Sequence, residues 1–153
     1  MDELLKQAKK KALSLLTDMD RTETQLRERL KQKGYPEPII EEVMSYVQSF
    51  GYVNDVNYAR RFVDGKKSQK SRYEIMGMLL NKGIDRELAE NALDECYSSE
   101  DEYRTLQRLI EKQHFCIEDS TEEEKKKLCA RFLRKGFRYE DVQKIIEVSY
   151  GNA

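Results

Sequence analysis

The chain closes a helix in the same way three times. Lys33-Gly34-Tyr35, Lys82-Gly83-Ile84 and Lys135-Gly136-Phe137 each set a glycine after a lysine and before an apolar residue. This is the pattern of a helix that ends in the left-handed conformation, with the next side chain folding back on it and the lysine at the negative end of the helix dipole. Aligned on these glycines, the flanking residues repeat as well. Leu26 and Leu30, Ile75 and Leu79, and Leu128 and Phe132 lie eight and four residues before the glycine. Ile40 and Val43, Ala89 and Ala92, and Val142 and Ile145 lie six and nine residues after it. The same face of each helix pair is therefore apolar in all three copies. The intervals of 49 and 53 residues between glycines leave room for a third helix per unit, at about Asn54 to Lys67 and Ser99 to Gln113. A repeat of this period points to stacked units that bury little alone.

The expected fold is all-α: an elongated array of three tandem three-helix, helix-turn-helix-like repeats. Only seven Gly and two Pro in 153 residues leave few turn signals for β-hairpins. With a mean hydropathy of −0.84, apolar residues are too sparse for one thick core. Helix starts are marked by capping boxes at Thr22 with Gln25, Ser71 with Glu74 and Ser120 with Glu123, and by Asn54 and Asp85 as N-caps. Cutting after each expected third helix gives an N-terminal helix plus first unit at 1–67, a second unit at 68–117 and a third at 118–153. The third copy then has two helices, unless a helix at about Leu4 to Leu16 supplies its missing layer.

Charge is uneven beneath a net value of −1. Residues 1–21, 22–55, 56–84, 85–124 and 125–153 carry +1, −2, +5, −10 and +5. The first basic block holds Arg60, Arg61, Lys66, Lys67, Lys70 and Arg72, with Tyr58, Phe62 and Tyr73 interleaved. Tyr58 and Phe62 are four apart and are expected to face a core, with the cations outward. The helix start at Ser71 offers amides that would meet a phosphate. The second block, Lys125, Lys126, Lys127, Arg131, Arg134, Lys135 and Arg138, follows Glu122-Glu123-Glu124, an order that suits the helix dipole without any partner. Several Lys and Arg on one face supply the sequence-independent part of nucleic-acid affinity. If both blocks touch one polyanion, the acidic segment between them should face elsewhere, toward protein.

Catalytic signals are thin. His114 is the only histidine, and there is neither a glycine-rich phosphate loop nor a nucleophile elbow. His114-Phe115-Cys116 with Cys129 offers three metal donors without Cys-x-x-Cys spacing. The cysteines Cys96, Cys116 and Cys129 read as reduced thiols. No run reaches the roughly 18 apolar residues of a membrane span, and Met1-Asp2-Glu3 opens an acidic, amphipathic segment rather than an apolar signal stretch. A non-enzymatic, cytoplasmic protein without cofactor, metal or membrane is expected.

The order of motifs is more specific than any one of them. Gln25 to Leu30, Lys33-Gly34 and Ile39 to Val43 run into Phe50-Gly51-Tyr52-Val53-Asn54-Asp55 and Tyr58-Ala59, then Ile75, Leu79, Leu80, Lys82-Gly83-Ile84 and Ala92. This series resembles the RecX family of bacterial recombination regulators over about residues 20–150. Two departures stand out: Asn54 replaces an acidic residue, and a glycine expected before Ile75 is absent, with Arg72 standing for an expected arginine. The resemblance implies a regulator that binds the RecA nucleoprotein filament, contacting RecA protomers and single- or double-stranded DNA, and that depresses ATP hydrolysis, strand exchange and co-protease activity. A monomer is expected. Our own assignment of the contact surface is Arg60, Arg61, Lys66, Lys67, Lys70 and Arg72, with Lys126, Lys127, Arg131, Arg134 and Arg138. The alternatives are a stand-alone DNA-binding helix-turn-helix-like protein and a helical adaptor without nucleic acid.

Overall fold

The computed structural model describes residues 2–113, 116 and 118–147, and these form nine helices and no strand. They are α1 (Asp2–Asp18), α2 (Glu23–Gln32), α3 (Glu37–Ser49), α4 (Asp55–Lys66), α5 (Arg72–Asn81), α6 (Arg86–Cys96), α7 (Ser99–Glu111), α8 (Glu122–Arg134) and α9 (Tyr139–Ile146). No described helix is long and apolar enough to cross a membrane.

The helices build three separate small cores. Ala8, Leu26, Leu30, Val43 and Val47 centre the first, within α1–α3. Ala59, Val63, Ile75, Leu79 and Leu93 centre the second, within α4–α6. Leu106, Ile110, Phe132, Val142 and Ile146 centre the third, within α7–α9. The chain exposes 9648 Å², against roughly 8,100 Å² for a compact monomer of this mass. Dividing the apolar residues among three cores is what raises the surface.

The grouping corrects the unit boundaries drawn from sequence at 67 and 117. Helices α4 and α7 lead the second and third units rather than closing the first and second. Ala59 and Val63 of α4 are fully buried against α5 and α6, and α1 takes the equivalent leading place in the first unit. Tyr58 and Phe62 stack at 6.2 Å against the second core, as their spacing predicts.

Helix starts largely follow the sequence reading. Thr22 and Ser71 form complete capping boxes, and the Asn54 side chain accepts from Asn57 N–H. Asp85 sits at an N-cap without a side-chain capping bond. The start of α8 is displaced by one residue: Thr121, not Ser120, accepts from Glu124 N–H, while Ser120 donates to Cys116 O at 2.5 Å. A further box, Ser98 with Asp101, opens α7. An aspartate there escapes a search for Glu or Gln.

Candidate nucleic-acid interface

Each unit locks to the next through the same polar joint. Thr22, the N-cap of α2, donates its hydroxyl to Lys82 O at the end of α5 over 2.7 Å. Ser71, the N-cap of α5, donates likewise to Lys135 O at the end of α8 over 2.5 Å. The first helical amide after each cap then meets a carboxylate from the leading helix of the next unit. Glu23 N–H donates to Asp55 Oδ1 at 2.9 Å, and Arg72 N–H to Glu102 Oε2 at 2.8 Å. At each joint the neighbouring unit thereby satisfies one orphan amide of a helix start, while the cap hydroxyl satisfies one orphan carbonyl of a helix end.

The next residue along lies on the repeated glycine. A Cβ built on Gly83 would stand 2.3 Å from Thr24 Cβ, and one on Gly136 would stand 2.3 Å from Tyr73 Cβ. Both glycines hold positive φ, +87° and +94°. Each therefore closes its own helix and lets the preceding unit approach. Burial raises the Asp55 carboxyl above its ordinary value, opposed by the Glu23 amide. Glu102, only 5% exposed, is raised by burial in the same way, with the Arg72 amide opposing.

The joint between the second and third units is the more elaborate. Tyr97 donates its hydroxyl to Lys70 O at 2.7 Å, and its burial pushes the phenol up to about 12. The Thr105 hydroxyl donates to Lys67 O, and Lys67 Nζ to Cys96 O at 3.2 Å. The basic loop from Lys67 to Ser71 is thus pinned by residues of α6, α7 and α8. This corrects the expectation that the α5 start offers its amides to a phosphate: Arg72 N–H is taken by Glu102, and Glu74 N–H by Ser71 Oγ.

The predicted contact residues divide. Arg60 pairs with Glu95 at 2.8 Å, Arg61 with Asp20 at 3.3 Å, Lys67 with Asp64 at 3.5 Å and Arg72 with Asp94 at 2.7 Å. Asp94 and Glu95 of the acidic segment therefore lie against the first basic block and do not all face away from it. Lys66 Nζ stands 5.9 Å from the Phe62 ring centroid, and Lys70 forms no ion pair among the described residues. In the third unit, Arg131 donates to Gln113 Oε1 at 2.9 Å, and it lines a separate groove with Lys127. Lys126 and Arg134 are exposed. Arg138 pairs with Glu140 at 3.6 Å.

The two blocks meet at one place. Arg72 of the first and Arg138 of the second line a cleft of about 630 Å³ at the second joint, together with Tyr73, Met76, Tyr97 and Glu102. Its arginines and its exposed tyrosine suit an anion that also carries a flat apolar surface. Sequence reasoning placed Tyr73 among the cations and Gly136 at a helix end but missed Thr24 and Glu102 and the part that Asp55 and Gly136 play in the joints. The readable signal was the constant offset of Thr22 and Ser71 from the glycines.

Chemistry of other kinds finds less. Cys96, Cys116 and Cys129 form no disulfide, and no group of three metal-type side chains assembles among the described residues. His114 and Phe115 lie outside the described residues.

Comparison with known proteins agrees with the repeat. Three family models match in order: RecX, first three-helix domain, over residues 8–46; second three-helix domain, over 54–93; third three-helix domain, over 100–146. Among relatives, the regulatory protein RecX of Caldanaerobacter subterraneus subsp. tengcongensis is 34% identical over 145 residues, covering 94% of this chain and 71% of that one. Regulatory protein RecX of Clostridioides difficile is 31% identical over 153 residues, covering 95% and 69%. The crystal structure of RecX from Lactobacillus salivarius superposes with a TM-score of 0.85 at 26% identity, over 96% of this chain and 97% of that one. A crystal structure of another regulatory protein RecX shares the fold, with a TM-score of 0.81 at 22% identity. With all three helix domains matched in sequence order and in three dimensions, the chain belongs to the RecX family.

Proposed function

We propose that this protein acts by binding, as a monomer in the cytoplasm, on the RecA–DNA filament, and that it depresses RecA's ATP hydrolysis, strand exchange and co-protease activity. The observation that carries this reading is the second joint. There a fixed connection between two units of a RecX chain brings Arg72 and Arg138, one from each basic block, to a single cleft. A chain of three small cores linked by polar joints has the form of a surface reader, with a long perimeter relative to its mass. The basic segments engage phosphates, and the exposed carboxylates of α6 and α7 engage protein. Cations already held in exposed ion pairs remain available, because such pairs contribute only about 0–1 kcal/mol and exchange readily for a phosphate.

The direct experiment adds the purified protein to RecA on single-stranded DNA and follows ATP hydrolysis. Hydrolysis should fall with added protein, and less so for a variant with Arg72 and Arg138 both changed to Gln. Unchanged hydrolysis at stoichiometric excess refutes the reading. Tight, salt-steep binding to bare duplex without any effect on RecA would instead support a stand-alone DNA-binding protein.

A further inference from the structure

The two joints of this chain are built alike, so each serves as a control for the other. At the first, the residue that rests on the glycine is Thr24; at the second, it is Tyr73. At the first joint a small side chain fills this place: the Thr24 Cβ stands nearest the glycine and its hydroxyl donates to Gly83 O at 3.4 Å. The tyrosine brings a ring in its place, and it is 70% exposed, the most exposed large hydrophobic side chain among the described residues. Its Cβ, Cγ and Cδ1 occupy the space that a Cβ on Gly136 would need, so the base of the side chain is seated at the glycine while the ring stands exposed. A tyrosine has only two side-chain torsions, so its ring loses little freedom when something stacks on it.

The surroundings differ in the same sense. At the second joint the ring lines the cleft beside Arg72 and Arg138. The small cavity that includes Thr24 at the first joint holds about 200 Å³ and mixes Arg27 and Lys31 with Glu28 and Glu37. The loop leading to Thr22 reads Asp18-Met19-Asp20-Arg21, whereas the loop leading to Ser71 reads Lys67-Ser68-Gln69-Lys70. Only the second joint combines net positive charge with an exposed ring.

We propose that the cleft at the second joint is a binding site for single-stranded nucleic acid, in which one unstacked base lies on the Tyr73 ring and the adjoining phosphates meet Arg72 and Arg138. An aromatic platform flanked by cations is the general means of holding a base together with its backbone. The present partners of the two arginines, Asp94 and Glu140, are exposed carboxylates, which a phosphate displaces at small cost. Lys70 stands two residues before Arg72, in the loop whose carbonyl Tyr97 holds, and adds a further positive charge to this segment. The assignment rests on the reading of the protein as one that engages DNA, and it names the element of DNA that this cleft takes.

The test uses the full chain and two fluorescently labelled probes of equal length, oligo(dT) and the same backbone with abasic sites, followed by anisotropy at several salt concentrations. Wild type should prefer oligo(dT) to the abasic strand by roughly tenfold. Tyr73→Ala should lose that preference and keep its salt dependence, while Tyr73→Phe should retain both. Arg138→Gln should weaken both probes and flatten the salt slope by about 0.7. Circular dichroism spectra and melting curves would show that Tyr73→Ala is folded. Equal wild-type affinity for the two probes, no binding of either, or an undiminished base preference in Tyr73→Ala overturns the proposal. So does competition by polyglutamate as strong as that by oligo(dT), which would make the cleft a site for acidic peptide. Inhibition of RecA by wild type that persists in Tyr73→Ala, with no base preference in either protein, defeats this inference and leaves the proposed function standing. Loss of inhibition in wild type defeats the function itself.

Discussion

Replacing the three repeated glycines by alanine, one at a time, separates two demands that the sequence pattern merges. All three have φ near +90°, where an L-residue costs roughly 1–2 kcal/mol. At Gly34 an added Cβ meets nothing within 4 Å, whereas at Gly83 and Gly136 it stands 2.3 Å from the Cβ of Thr24 and Tyr73. Those two contacts are between rigid positions, because a Cβ cannot rotate away. Relief requires the neighbouring unit to shift, and overpacking of this kind adds about 1–3 kcal/mol. Gly34→Ala should therefore lose about 1–2 kcal/mol, and Gly83→Ala and Gly136→Ala about 2–5 kcal/mol each. Urea unfolding followed by far-ultraviolet circular dichroism reads the difference, as the chain has no tryptophan. The second-site change Thr24→Gly in the Gly83→Ala background should recover the steric part and leave the backbone part. An equal loss at all three glycines, or no rescue by Thr24→Gly, would refute the account of the joint. A parted joint would also show as a broader or split transition, because units in an array unfold together only through their interfaces.

Other perturbations test the remaining parts of the joint. Glu102→Ala leaves the Arg72 amide without its acceptor in a buried place and should destabilise by about 1–3 kcal/mol, whereas Glu102→Gln keeps an acceptor, removes a buried charge and should be neutral or stabilising in the same urea assay. Burial sets the folded values of Asp55 and Glu102 above their unfolded ones, so the folded state holds more protons between the two and their share of stability falls as pH rises from the ordinary carboxylate range through the raised values; a series of unfolding curves rising from about pH 4 to neutrality should show Glu102→Gln with the weaker fall. Ser71→Ala removes both a cap and a joint bond and should lose about 2 kcal/mol, against about 1 kcal/mol for Thr121→Ala, which caps α8 alone. Arg60→Gln breaks an exposed pair with Glu95 and should change stability by less than about 1 kcal/mol, with the midpoint of urea unfolding as readout.

Much of this fold is legible because helix ends have local chemistry. The lysine–glycine closures, the boxes at Thr22 and Ser71, and the buried pairs around them all depend on residues within about ten positions of one another. The start of α8 is ambiguous for the same local reason: Ser120 and Thr121 are adjacent hydroxyls, each with a glutamate three residues on. The grouping into units is not legible, since a three-helix period counted between glycines can be cut at any point in its cycle. Only packing decides that Ala59 belongs with Ile75 and Leu79 rather than with Val47. The joints were hidden for a different reason. Thr22 and Ser71 are recognisable as caps, and nothing in a cap reveals that its hydroxyl proton is given to a carbonyl 60 or 64 residues away. The charge sums by segment were correct, yet they could not show that Asp94 and Glu95 turn back onto Arg72 and Arg60.

The joint has a direction. In every instance the upstream unit is the plug, offering a hydroxyl, an amide and a side chain, and the downstream unit is the socket, offering a carbonyl, a carboxylate and a bare glycine. The socket's acid stands four residues before the first buried aliphatic residue of a leading helix, as Asp55 before Ala59 and Glu102 before Leu106. In α1 that place, four before Ala8, is held by Leu4. The first unit thus keeps the glycine of a socket and lacks its charge. The three units are consequently not interchangeable beads: their order is fixed by complementary halves, and a shuffled chain in which the first unit had to receive a plug would leave a helix amide facing a leucine.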